Sequence, residues 1–123
     1  MKLWLDDERK PPSEAWVWVD EALKAIDLLD LGNVEEVSLD HDLGDDRWNG
    51  YVVACYIERR AHQGYPPPKW AVHSANPVGR QNIEAALKSA ERAYAKRQKG
   101  TDSEVPSTEV VRGGWGSGDA ENG

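Results

Sequence analysis

The chain is predicted to fold as α/β: a small, mostly parallel four-stranded sheet with helices packed on it. Three observations predict this. Short β-prone runs alternate with segments whose apolar residues recur at helical spacing, the pattern of a parallel sheet joined by crossovers. Three of those runs, residues 2–5, 34–39 and 69–72, each end in a polar cluster: Asp6-Asp7-Glu8, Asp40-His41-Asp42 and His73-Ser74-Ala75-Asn76. The length of 123 residues is that of one domain.

The elements follow in order. Residues 2–5 are apolar and suit a buried first strand. Lys10-Pro11-Pro12-Ser13 is a loop, because two prolines donate nothing to a ladder and break a helix interior. Trp16-Val17-Trp18-Val19 reads as a short second strand. Asp20 is expected to cap a helix from Glu21 to about Leu31, with Ala22, Ala25, Ile26 and Leu29 on one face. Gly32-Asn33 ends it. Residues 34–39 form the third strand, through Val34, Val37 and Leu39, and residues 44–49 a polar loop. Asn49-Gly50 opens a second helix to about Ala61, with Val52, Val53, Tyr56 and Ile57 inward. Gly64-Tyr65-Pro66-Pro67-Pro68 breaks it, and residues 69–72 make the fourth strand. Pro77 starts the last helix at its first position, where a missing N–H costs nothing. That helix runs through Ile83, Ala86, Leu87 and Ala90 to about Gln98.

From Gly100 the composition changes to Gly, Ser, Asp and Glu, with five acids and one base. The expected organisation is therefore a domain over residues 1–99 and a disordered tail over 100–123. Val110, Val111 and Trp115 are the tail's candidates for docking.

The formal charge of −7 argues against nonspecific duplex nucleic-acid binding or membrane binding driven by net charge. A small phosphate ligand stays open, because a bound cation reverses the local field. The single cysteine, Cys55, excludes an intramolecular disulfide and reads as core packing. No run approaches the roughly 20 apolar residues of a membrane span. The N-terminal segment turns acidic too early for a signal peptide, so a cytoplasmic protein is expected. Six Trp and no Phe make Trp the large aromatic of the core, with some left to line a ligand site.

Ligands of open parallel sheets bind in the crevice at the carboxyl ends of the strands, so the three clusters are expected to share one pocket. Asp6 and Asp7 are adjacent, and a particular strand-end geometry is needed to turn both into it. Asp40 and Asp42 have the period-two spacing that places both on one side of an extended segment. Carboxylates this dense repel one another and raise their own pKa values. Mg²⁺ or Mn²⁺ on Asp6, Asp7, Asp40 and Asp42 relieves that, since hard cations take oxygen ligands. The plainer alternative is a solvated acidic rim with helix-capping Asp residues.

His41 and His73 each follow a strand, and neutral imidazole is both a metal ligand and an acid–base group near pH 7. With Asp40 they are the catalytic candidates, against the alternative of satisfied structural histidines. His62, beside Arg60 and Gln63, reads as surface. The segment from Asn76 to Asn82 is a polar helix start whose N–H groups and dipole suit an anion. Arg80 adds a planar fork, and Ser74 a hydroxyl. Ser74, Asn76, Gly79, Arg80 and Asn82 are thus candidate phosphate ligands, against an ordinary N-cap with a surface Arg. Arg9 is either a second phosphate clamp or a counter-ion for Asp6 or Asp7.

Leu3-Trp4-Leu5-Asp6-Asp7-Glu8-Arg9, Ser38-Leu39-Asp40-His41-Asp42-Leu43-Gly44 and the segment His73-Ser74-Ala75-Asn76-Pro77-Val78-Gly79-Arg80-Gln81-Asn82-Ile83 resemble the cyclic-phosphate processing receiver domains. These are small relatives of the response-regulator receiver fold, and the resemblance spans roughly residues 1–95. It implies a truncated, flavodoxin-like receiver in two or three layers. It also implies Mg²⁺ on Asp6, Asp7 and Asp40, with a phosphoryl contact from Ser74. The chain departs from receivers in lacking a fifth strand with its Lys and a helix after the first strand. Asp42 also competes with Asp40 as the receiver-type acid. His41, His73, Asn76 and Arg80 look more like equipment for a phosphoester ligand than for accepting a phosphoryl group.

The expected function is divalent-metal-dependent hydrolysis of a cyclic phosphate, or a related phosphoester, on a nucleotide or RNA end. One alternative is a non-catalytic nucleotide or cyclic-nucleotide binding module, in which Trp16, Trp18, Trp48 or Trp70 stacks on the base. The other is a degenerate receiver acting through protein contacts.

Overall fold

The computed structural model describes residues 1–103, and side chains up to residue 99. Four strands, β1 (Lys2–Leu5), β2 (Trp16–Val19), β3 (Glu36–Leu39) and β4 (Lys69–Val72), form one all-parallel sheet in the order β2-β1-β3-β4. Three helices accompany them: α1 (Ala22–Asp30), α2 (Gly50–His62) and α3 (Pro77–Ser103). This is the parallel α/β architecture that the alternation predicts and the receiver-like fold that the resemblance implies.

The strand order explains the layering. From β2 to β3 and from β3 to β4 the chain moves the same way across the sheet. Right-handed crossovers running in one direction set their helices on one face. Only the step from β1 to β2 runs the other way, and its ten residues form a loop instead of a helix. Helices α1 and α2 therefore lie on one face, and α3, which follows β4, packs beside α2 on that face, in a single core. Leu3, Leu5, Val37, Leu39 and Val72 meet Ala22, Ala25, Val53, Ala54, Ile57, Ile83, Leu87 and Ala90 there. Each fully buried Leu contributes about 2 kcal/mol by leaving water. The opposite face carries Lys2, Trp4, Trp16, Trp18, Glu36, Ser38, Lys69 and Ala71, aligned by the strand register. Among the described residues no helix covers it, so the domain has two layers.

Helix ends follow local chemistry, with one exception. Asn49 caps α2 by accepting from Val52 N at 3.2 Å, and Asn76 caps α3 by accepting from Gly79 N at 3.0 Å. The expected Asp20 cap does not form. Glu21 takes the N-cap position without a side-chain bond, because Asp20 is drawn to Lys24 at 3.0 Å. Gly32 takes the left-handed φ of 85° that ends α1. On α2 the inward face is Val53, Ala54, Ile57 and Ala61; Val52, Tyr56 and Cys55 are only half-buried, so Cys55 borders the core rather than filling it. Helix α3 continues to Ser103, beyond the expected end near Gln98. Most of the expected tail, with Val110, Val111 and Trp115, lies outside the described residues. No helix among the described residues is long and apolar enough to cross a membrane.

Candidate functional site

Successive connections leave β1 and β3 in opposite directions, which opens a crevice beyond their carboxyl ends. Asp6 and Asp7 follow β1, and Asp40 follows β3. One carboxylate oxygen from each lies within 4.8 Å of the others. A hollow of about 450 Å³ lies beside them, lined by Asp7, Glu8, Arg9, Asp40, Asp42, Gly44 and Ala75. A second hollow of about 430 Å³ lies at the amino-terminal end of the strands, by Tyr56, Tyr65 and Pro66 to Pro68. It holds no acid cluster, and Arg60 stacks on Tyr65 within it.

The three acids differ in state. Asp6 is fully buried, and both of its oxygens are engaged. Oδ1 accepts from Glu8 N at 2.8 Å and Arg9 N at 2.9 Å; Oδ2 accepts from Arg9 Nε at 3.0 Å and faces His73 Nε2 at 3.0 Å. Burial alone raises its pKa. The two backbone donors, the Arg9 charge and His73 outweigh that, so Asp6 titrates below the ordinary carboxylate value. Asp40 is buried too, but its one cationic partner among the described residues is Arg9 Nη2 at 3.3 Å. Burial and the charge of Asp6 hold its pKa above the usual value, against the pull of Arg9 and His73. Asp7 is exposed and carries no hydrogen bond or ion pair among the described residues; Gly44, in the left-handed region at φ 76°, lies beside its Oδ2.

Arg9 therefore acts as the counter-ion of Asp6 and Asp40, one of the two roles open to it from sequence. Half of its side chain remains exposed toward the hollow. The donor set fits a hard divalent cation, since every ligating atom is a carboxylate oxygen. Asp42 is not part of this set. Its Oδ1 is taken by His41 Nδ1 at 2.8 Å and Asn76 Nδ2 at 3.3 Å, and these bonds, His41 first, hold its pKa below normal.

The two histidines also separate. His73 stacks on Trp4 with ring centroids 3.8 Å apart and planes 6° apart. Its Nδ1 lies 2.7 Å from Ser38 Oγ and its Nε2 3.0 Å from Asp6 Oδ2. An ionised Asp6 only accepts, so Nε2 donates and Nδ1 accepts the Ser38 hydroxyl proton. Burial outweighs the attraction of Asp6 and Asp40 and depresses the His73 pKa, which favours the neutral ring. Both nitrogens are thus engaged: Nε2 holds Asp6, and Nδ1 is anchored by Ser38. His41 instead donates Nδ1–H to Asp42, and its Nε2 has no partner among the described residues.

Two glycines let the backbone close around this corner. A Cβ on Gly50 would lie 1.9 Å from the Asp40 carbonyl oxygen, and one on Gly79 would lie 2.3 Å from the His41 ring. The close approach of Gly79, and the bond from its N–H to Asn76, place it as a packing residue beside the site. Ser74 is buried, and its Oγ accepts from Asn76 N at 3.1 Å while its proton is left to donate. Arg80 pairs with Glu84 at 3.2 Å along the helix, and Asn82 is exposed on α3. Neither lines the acid hollow.

Ser38 and Trp4 are part of the arrangement and were not singled out as site residues by the sequence; Trp18, one of the four tryptophans named for base stacking, joins them. Their signal was the strand register: Trp4 pairs with both Trp18 and Ser38, on the face that also leads to Asp6 and Asp40. Trp18 Nε1 donates to the Asp6 carbonyl at 2.7 Å.

Comparison with curated proteins and with solved structures returns no match. The family model of the cyclic-phosphate processing receiver domain matches residues 1–89, which include β1 to β4 and every residue of the acid hollow. The chain belongs to the cyclic-phosphate processing receiver domain family.

Proposed function

We propose that the domain binds a divalent cation, Mg²⁺ or Mn²⁺, in the acid hollow and hydrolyses a cyclic phosphate held beside it. The observation that carries this reading is the convergence of Asp6, Asp7 and Asp40 at the crevice between β1 and β3. Asp7 and Asp40 would hold the cation most directly, since Asp6 has both oxygens engaged. Once bound, the cation supplies charge neutralisation at the phosphoryl oxygens and a water of lowered pKa. Asp42 fixes the His41 tautomer, so His41 Nε2 takes a proton from the attacking water and returns it to the leaving sugar oxygen. Arg9 and the Ser74 hydroxyl donate to the phosphate. His73 holds Asp6 rather than moving a proton.

The test is hydrolysis of nucleoside 2′,3′-cyclic phosphates with and without a chelator. Asp40→Ala and His41→Ala should each lower turnover by about 100-fold or more with circular dichroism unchanged. Full activity in chelator, or in His41→Ala, overturns the mechanism. The complete hydrogen bonding of Asp6 and His73 also suits a non-catalytic binding module. Metal-dependent binding with recovery of intact ligand would select that reading.

A further inference from the structure

The acid hollow adjoins a second one, and Asp7 lines both. The second, about 470 Å³, is lined by Asp7, Trp18, Val19, Asp20 and Lys24. Its wall is the Trp18 indole, 44% exposed on the open face of the sheet. This ring is fixed in place: Nε1 donates to the backbone carbonyl of Asp6 at 2.7 Å, the residue that opens the acid site. An exposed indole tied at its polar edge presents its flat surface without the rotamer freedom that stacking would otherwise have to freeze. The same sheet face already stacks one nitrogen heterocycle in parallel, His73 on Trp4. Cationic groups flank the two hollows, Arg9 in one and Lys24 in the other.

We propose that Trp18 is the base subsite of the domain, so that its ligand is a nucleotide and not a phosphorylated sugar. A planar base stacks on the indole while its phosphate lies on the other side of Asp7. This rests on the proposed phosphate site and adds the class of molecule that enters it. Stacking on an aromatic side chain tolerates every base, because each has a π-face. The subsite therefore sets a requirement for a base more than a choice among bases.

The test is equilibrium titration, run throughout in the His41→Ala background that arrests turnover and with Mg²⁺ present, of adenosine 2′,3′-cyclic phosphate and of methyl riboside 2,3-cyclic phosphate, which lacks the base. The nucleoside phosphate should bind about tenfold more tightly or better. Trp18→Ala should remove that advantage while leaving the base-free probe unchanged. Trp18→Phe keeps a stacking ring and loses the bond to Asp6, so it should retain most of the advantage. Equal affinities with Trp18 intact overturn the subsite and leave the phosphate site standing. So does a Trp18→Ala variant weakened equally toward both probes, which marks Trp18 as a prop for Asp6. Binding of neither probe overturns the subsite and the phosphate site together.

Discussion

Arg9 is the cation that the acid hollow contains in itself, and removing it exposes how much charge the site stores. Its guanidinium lies 3.0 Å from Asp6 and 3.3 Å from Asp40. At the effective dielectric of about 20 near a protein surface, each contact is a gross attraction of about 5 kcal/mol. The Arg9 side chain is 51% exposed, so solvent screening and its own lost hydration cut the net contribution of both contacts to about 1–2 kcal/mol. Arg9→Met keeps the aliphatic stem and deletes the charge, which leaves Asp6 and Asp40 facing each other unrelieved. In chelator, thermal unfolding of this variant should fall by about 5–10 °C, as expected for that loss in a domain of this size. Mg²⁺ should then stabilise the variant more than the parent, because the cation no longer displaces a guanidinium. At about 100-fold excess over its Kd, the ion adds about 2.7 kcal/mol, enough to restore the loss. Differential scanning calorimetry with and without Mg²⁺ measures both effects. An unchanged melting temperature in chelator refutes Arg9 as the counter-ion. Equal Mg²⁺-induced shifts in parent and variant refute competition between Arg9 and the cation.

Two further results are expected. Gly79→Ala should be destabilised by about 2 kcal/mol, because its Cβ meets the His41 ring at 2.3 Å, and adding His41→Ala should recover most of that loss. Additive effects in urea denaturation would show that α3 and the His41 loop are not in contact. The metal-free protein should also carry a pH signature of Asp40. Its folded pKa lies above the ordinary 3.8, so as pH rises from 3.8 through the folded value, the unfolded state releases the proton first and stability falls. Asp40→Asn should consequently be more stable than the parent at pH 7, with the gap closing as pH falls toward 4. A gap that widens on acidification reverses the sign of this argument. The depressed Asp6 and His73 act the opposite way. His73 costs stability as pH falls below about 6.5, and Asp6 as pH falls below about 3.8.

The sequence by itself determined the architecture and the neighbourhood of the site. Alternating periodicity is a local property, and a strand or a helix buries one face whatever its distant neighbours are. Four strands, three helices, the helix-less step after β1 and the polar strand ends could therefore be read in order. Asn49, Asn76 and Pro77 announced their helix starts through chemistry within one turn. Asp20 did not cap α1, because a lysine one turn ahead competed for it.

Only the tertiary structure decided what each polar side chain does. Beyond a strand's last residue, direction is set by loop dihedrals and by partners far away in the chain. Asp6 and His73 are 67 residues apart and share a hydrogen bond, a pairing that no local pattern announces. Asp42 has the spacing of a ligand, and His41 and Asn76 take one of its two oxygens, Oδ1. The open tryptophan face likewise depends on where three crossovers land, a fact of handedness and strand order that no local pattern carries.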